Sequence, residues 1–192
     1  MKFRFILLLL FLCHLSYAET AKYKVTSSGV YLGDMSVSKT TTNDVVEIKI
    51  VSDVKVKLFL SIDLKYRLNC TYKNGNLMYS SVTTFVNGSK HSSVITEKKG
   101  QSYLVTEDGH VSKYLKVINY SGGLLYFDEP NNQKTLYSEF KGYYKVIKSL
   151  AQSRYLVTDN NTGHKSTYEY KNGTLILATI EHTLMTFKMT KY

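Results

Sequence analysis

The even positions of residues 54–72 are all apolar: Val54, Val56, Leu58, Leu60, Ile62, Leu64, Tyr66, Leu68, Cys70 and Tyr72. The odd positions are polar apart from Phe59, with Lys55, Lys57, Lys65 and Arg67 among them. A period of two sustained this long demands extended chain with one buried and one wet face. Fully extended, the stretch would run about 60 Å, too far for a flat strand in a small domain. It must bend or break once. Phe59-Leu60-Ser61, where the odd face stops being polar, is the expected corner.

Asn74-Gly75 follows, the pair that best tolerates the positive φ angles of a type I′ hairpin turn. A two-residue turn there places Tyr72 opposite Leu77, Cys70 opposite Tyr79, Leu68 opposite Ser81 and Leu64 opposite Phe85, all on one face. Asn87-Gly88, Lys99-Gly100, Asp108-Gly109 and Asn172-Gly173 mark further turns, and Ser28-Gly29 marks an early one. Tyr168 and Tyr170 are expected opposite Leu177 and Leu175. The motif Tyr72-Lys73-Asn74-Gly75-Asn76-Leu77 recurs as Tyr170-Lys171-Asn172-Gly173-Thr174-Leu175. Reuse of one turn chemistry in successive hairpins accounts for it better than duplication does. Tyr144, Ile147 and Ala151 have helical spacing, which allows a short helix near 145–152.

Composition agrees with sheet. The chain has 17 Tyr, 8 Phe and a single proline, so little forces its strands off the ladder. Residues 1–18 read as an export signal: Lys2 and Arg4, a short apolar run, then Ser16 and Ala18 ahead of cleavage. The remainder, 19–192, is one all-β domain. Losing the signal removes Cys13 and two charges, which leaves Cys70 as the only thiol and lowers the formal net charge of +10 to about +8. A lone thiol on the apolar face is a buried hydrophobe, and stability must come from the core. Such a charge favours anionic surfaces, and in an exported protein acidic lipid or glycan is a likelier encounter than nucleic acid.

Few residues point to chemistry. The histidines are scattered, no Cys–His cluster has metal-site spacing, and no cofactor motif occurs. Glu129 and Glu139 would approach each other if the chain folded back around Asn131-Asn132, and paired carboxylates do acid–base work. Lys55, Lys57, Lys65, Arg67 and Lys73 form a basic odd face, interrupted by Asp63, that could dock a polyanion or simply face water. Tyr66, Tyr72, Tyr79, Tyr168 and Tyr170 are expected to point inward and to line any ligand cavity.

The chain also resembles a domain-of-unknown-function family of small exported β-rich proteins of Bacteroidota-type Gram-negative bacteria. The resemblance lies in Gly33-Asp34-Met35, Tyr126-Phe127-Asp128-Glu129-Pro130, Tyr137-Ser138-Glu139-Phe140 and the two Tyr-Lys-Asn-Gly turns. The chain departs from the family at Asp159-Asn160-Asn161, where a proline often precedes the turn. The resemblance implies an exported antiparallel sheet protein and transfers no activity or catalytic residue. It lowers the weight of the five Asn-x-Ser/Thr sites as glycan acceptors.

The expected fold is a single antiparallel meander of about ten to twelve strands. One-sided alternation requires it to curl over its apolar face as an open barrel or clam-like half-barrel. Three functions compete. The favoured one is a non-enzymatic envelope protein that is structural or holds an apolar ligand such as lipid inside the curl. The others are a surface module binding acidic glycan or lipid through the basic face, and a hydrolase using the two glutamates.

Overall fold

The computed structural model describes residues 16–57, 61–183 and 185–192. Fourteen strands make one antiparallel sheet. The first eight follow one another as hairpins: β1 (Ser16–Ser27), β2 (Val30–Thr42), β3 (Val45–Lys57), β4 (Ser61–Lys73), β5 (Asn76–Val86), β6 (Ser89–Lys99), β7 (Ser102–Glu107) and β8 (His110–Tyr114). The last six do the same: β9 (Thr135–Ser138), β10 (Tyr143–Ala151), β11 (Arg154–Thr158), β12 (Lys165–Lys171), β13 (Thr174–Glu181) and β14 (Thr186–Lys191). The two runs meet where β14 lies beside β1, so that Tyr23 faces Lys191 and Val25 faces Met189. The sheet stays open, with β8 and β9 as its edges. Most of the expected signal falls outside the described residues. Ser16, Tyr17 and Ala18 pair with Thr42, Thr41 and Thr40, so the expected cleavage point lies within β1.

The turn residues behave as their chemistry requires. Asn74 and Gly75 take φ of 50° and 71°, and Asn172 and Gly173 take 52° and 74°. Two side-by-side left-handed residues give the twist that a tight hairpin needs.

The expected open curl of antiparallel strands is present, but three expectations need correction. The strands number fourteen rather than ten to twelve. Of the bend or single break expected in residues 54–72, the chain takes the break: β3 and β4 pair along their whole length, from Val45 opposite Lys73 to Lys57 opposite Ser61. Most of the expected corner lies in residues 58–60, outside the described ones. The reversal keeps even positions opposite even positions, so the alternation runs through it unbroken. The region 145–152 is no helix; Val146, Ile147 and Lys148 of β10 pair with Thr158, Val157 and Leu156, and ladder bonds outweigh a chance helical spacing.

The third correction concerns register. Tyr72 faces Leu77 as expected, but a β-bulge follows, and Thr71 faces Tyr79 while Cys70 faces Ser80. One extra residue, Met78, turns the rest of β5 over. Val82 is therefore buried, and Tyr79 stands 37% exposed on the outer face. The matching turn after Tyr170 carries the same device. Tyr170 faces Leu175, but Tyr168 faces Ala178 rather than Leu177, with Ile176 as the extra residue.

One core contains Tyr23, Val37, Ile48 and Leu68 from the first run together with Ile147, Val157 and Leu175 from the second. The open sheet therefore curls around its own inner face. Residues 115–134, which connect β8 to β9, enter that interior. Ile118, Tyr120 and Leu125 are buried there. The Leu77 N–H donates to Ile118 O at 2.8 Å, and the Tyr170 hydroxyl donates to Leu125 O at 2.7 Å.

Gly33 in β2 shows how closely the strands pack. Its φ is +152°, and a Cβ there would lie 2.2 Å from the Asp53 carbonyl oxygen of β3. We expect Gly33→Ala to cost about 3 kcal/mol, because β3 must be displaced to admit the methyl. Urea denaturation of the two proteins measures it.

Candidate functional site: a half-filled barrel and the carboxylate that holds its filling

Glu139 follows β9 and begins the tight turn into β10. The Gly142 N–H closes that turn on Ser138 O at 2.8 Å. The turn aims the Glu139 side chain inward, where the residue is 2% exposed. Its carboxylate meets the inserted segment. The N–H groups of Gly122 and Gly123 donate to it at 3.0 and 2.9 Å, and the Ser121 hydroxyl also donates. The Cys70 thiol adds a fourth bond at 3.4 Å. Ser121 has spent its one proton on Glu139, so its oxygen accepts from the Tyr72 hydroxyl. Two glycines are needed here. A Cβ on Gly122 or Gly123 would come within 2.8 or 3.2 Å of the carboxylate oxygens.

This network joins three parts of the chain. Cys70 and Tyr72 come from β4, Ser121 to Gly123 from the inserted segment, and Glu139 from the β9–β10 turn. Ser121 also bridges Tyr137 in parallel, with Tyr137 N–H donating to Tyr120 O at 3.0 Å. A parallel bridge excludes the hairpin around Asn131-Asn132 that would have paired Glu129 with Glu139. Glu129 instead accepts from the Tyr155 hydroxyl at 2.8 Å. The two glutamates share no hydrogen-bond partner and sit in separate networks. Cys70 is buried as its place in the alternation implied, and burial, then the neighbouring Glu139, pushes its thiol well above the usual range. That opposes a nucleophilic role.

The inserted segment fills only part of the interior. On β4, Cys70 and Tyr72 face it, while Ile62, Leu64, Tyr66 and Leu68 face a cavity of about 620 Å³. Val54 and Val56 of β3, Phe140 and Phe187 line its walls, with Leu125 and Glu139 also bordering it. Of the tyrosines expected to point inward, Tyr66 and Tyr168 line this cavity. Tyr66 packs its edge on Phe140 at 6.2 Å between centroids. Tyr72 and Tyr170 are buried against the inserted segment, and Tyr79 lies outside. Tyr126, from a short 3-10 turn over Leu124–Tyr126, is a lining residue that the alternation did not single out.

Lys65, His91, Lys145 and His182 are the charged or chargeable nitrogen side chains on the cavity lining. Lys145 Nζ lies 3.3 Å from Asp159, a residue 3% exposed. Tyr143 donates its hydroxyl to the Asp159 carboxylate, and the N–H groups of Asn161 and Thr162 point to it at 3.0 and 3.3 Å. Of these residues only Lys65 stood out in the sequence, as part of the basic odd face. The segment holding Asp159 attracted notice only where it departs from the family turn.

The basic face is weaker than the sequence suggested. Lys55, Lys57, Lys65 and Lys73 are exposed and Arg67 is half-buried. The β3–β4 reversal places acids among them: Asp63 pairs with Lys55 at 3.4 Å and Asp53 with Arg67 at 2.6 Å. Lys73 lies opposite Val45, at the far end of β4 from the Lys57–Ser61 pair. The strip is a mixed surface of the kind that water solvates. Among the described residues, no group of three or more His, Cys, Asp or Glu could hold a metal.

The chain belongs to the family described as Domain of unknown function (DUF6134), which it matches over residues 23–191. No curated protein matches it significantly. Among solved structures it is similar to a β-barrel-like protein of domain of unknown function DUF1849 from Brucella abortus. That similarity covers 90% of this chain and 94% of the other, with a TM-score of 0.61 and 12% identity. At such identity the likeness is one of fold.

Two outcomes are expected at this site. Glu139→Ala strands two amide N–H groups and a hydroxyl inside the barrel, so it should cost about 3 kcal/mol or more in equilibrium unfolding. Asp159 gives a pH signature. Burial raises its pKa, but Lys145, Tyr143 and the Asn161 amide outweigh that and leave it below the ordinary carboxylate value of 3.8. Its folded pKa is depressed, so its stabilising contribution is present above the unfolded pKa and is lost as pH falls through the folded one. Asp159→Asn should therefore flatten the acid limb of the stability–pH curve, measured by thermal unfolding between about pH 2 and pH 6.

Proposed function

We propose, from membership of the DUF6134 family and the half-filled barrel together, that this chain is a non-enzymatic binding protein. It is exported to the envelope of a Gram-negative bacterium and holds an apolar ligand of the lipid class. The observation that carries this reading is the cavity of about 620 Å³ walled by Val54, Ile62, Leu64, Phe140 and Phe187. Its size falls in the range of about 300–1,000 Å³ that small-molecule sites occupy. An acyl chain moved from water into such walls gains about 0.8 kcal/mol for each buried CH₂. Export is supported by the basic, apolar and small-residue order of residues 1–18. The absence of a shared network for Glu129 and Glu139 removes the main support for a hydrolase. The acids among the basic strands weaken the case for a polyanion surface.

The test is a fluorescent apolar probe, N-phenyl-1-naphthylamine, titrated into the protein. Saturable enhancement is expected, and Leu64→Trp, which fills the cavity with an indole, should weaken it about tenfold. That loss is about 1.4 kcal/mol, the size of a modest overpacking effect. No enhancement by the native protein, or equal enhancement by the folded variant, would sink the proposal.

A further inference from the structure

The register of the strands sets a row of hydroxyl side chains across the cavity wall. Ser52 of β3 lies opposite Tyr66 of β4, and Tyr66 lies opposite Thr84 of β5. All three line the cavity. Residues paired directly across neighbouring strands share a face, so these three form a belt at one level of the wall. The rows two residues to either side are apolar. Val54, Leu64 and Val86 stand opposite one another in the first, and Ile50, Leu68 and Val82 in the second. Each row lies about 7 Å from the belt along the strands. The belt is a narrow polar band with apolar surface on both sides.

Its hydroxyls are unequally engaged. Thr84 Oγ1 lies 2.7 Å from Ser92 Oγ, its opposite number on β6. Tyr66 rests its ring edge on Phe140, but its hydroxyl has no hydrogen-bond partner among the described residues, and neither has that of Ser52. Burial, and then the neighbouring Glu139, hold the Tyr66 pKa well above the usual range, so this hydroxyl keeps its proton and stays a donor. Ser138, 8% exposed, lines the same cavity from the second run of strands, and its hydroxyl is also unpartnered among the described residues. Unmatched hydroxyls on the inside of a protein are costly, and they mark where a bound molecule can supply a polar atom of its own.

The charged groups of the lining do not serve that place. Both Glu139 oxygens are held by protein donors, and Lys145 is paired with Asp159. Lys65, His91 and His182 are exposed. A charge carried to the belt would be buried without a counter-ion.

We infer, resting on the apolar-ligand reading, that the cavity takes an uncharged molecule with a carbonyl set between two apolar portions, as in a fatty ester or a long-chain ketone. The carbonyl oxygen accepts from the Tyr66 hydroxyl at the belt. The apolar portions lie against the Val54–Leu64 and Ile50–Leu68 rows.

Displacement of diphenylhexatriene, a hydrocarbon probe without hydrogen-bonding atoms, from the full chain tests this. Methyl laurate should displace the probe. Tyr66→Phe should weaken that displacement about fivefold, the loss of one neutral hydrogen bond, and leave the affinity for the probe unchanged. The phenyl ring keeps the contact with Phe140, and the thermal transition checks that the variant folds. Should it not, Ser52→Ala decides instead, with a loss of about twofold for methyl laurate and none for the probe. Laurate, ionised at about pH 8, should compete at least about fivefold less well than methyl laurate. Methyl laurate displacement unchanged in the folded variant would overturn the contact with the belt. Laurate competing as well as its ester would overturn the uncharged ligand. Either result leaves the apolar cavity standing. Failure of diphenylhexatriene and N-phenyl-1-naphthylamine alike to bind would remove the underlying reading as well.

Discussion

A carboxylate inside an apolar barrel is tolerable only if its environment supplies donors, and here that requirement organises the interior. Glu139 draws two backbone amides, a hydroxyl and a thiol to itself. Each donor comes from a part of the chain that must be correctly placed to reach it. The connection between β8 and β9 would otherwise cross the outside of the sheet. Anchoring Ser121, Gly122 and Gly123 draws it through the middle. The bare backbone at the two glycines lets the carboxylate come within hydrogen-bond reach. Unsatisfied buried polar groups cost more than matched ones contribute, so the network specifies one position for the segment rather than several.

With the segment held there, the barrel divides into a filled part and a hollow part. The filled part is dense: Tyr23, Leu77, Ile118 and Leu175 have no measurable exposure. Tyr23 donates its hydroxyl to Leu175 O at 3.1 Å, and burial pushes its pKa up to about 12. The hollow part shares the same strands and the same inward face. It is hollow because the inserted chain borders it through Leu125 and Tyr126 without filling it. The anchor and the cavity are therefore two outcomes of one arrangement, and Glu139 borders both.

Much of the sheet was legible in the sequence. The alternation through 54–72 named which residues of β3 and β4 face inward, and Val56, Leu68 and Cys70 obey it. Periodicity could not reveal the reversal, because an odd-length connection from Lys57 to Ser61 preserves parity. For the same reason the pairing of Asp63 with Lys55 and of Asp53 with Arg67 was invisible. The bulges at Met78 and Ile176 changed parity without any residue that announces a bulge, and Tyr79 was misplaced as a result. Glu139 was noticed as half of a pair, but its real partners are amides of Gly122 and Gly123. Backbone donors leave no trace in residue type beyond the small side chains that expose them. Lys145 and Asp159 come together only through the pairing of β10 with β11, which local pattern does not carry.

The seam between β1 and β14 lies near the middle of the sheet, although it joins the first and last strands of the chain. Tyr23 cannot meet Lys191, nor the Tyr192 N–H find Lys22 O, until β14 has been made. The first eight strands form a local succession of hairpins, and the last six form another, so each run assembles from near neighbours. Their union is the most non-local contact in the molecule and pays the largest loop-closure entropy. Until the final strand emerges, β1 keeps one side unpaired, and a growing chain in that state is adhesive. The price of joining β1 to β14 at the centre of the sheet is thus a late, slow closing step, during which the nascent protein depends on its surroundings to stay unaggregated.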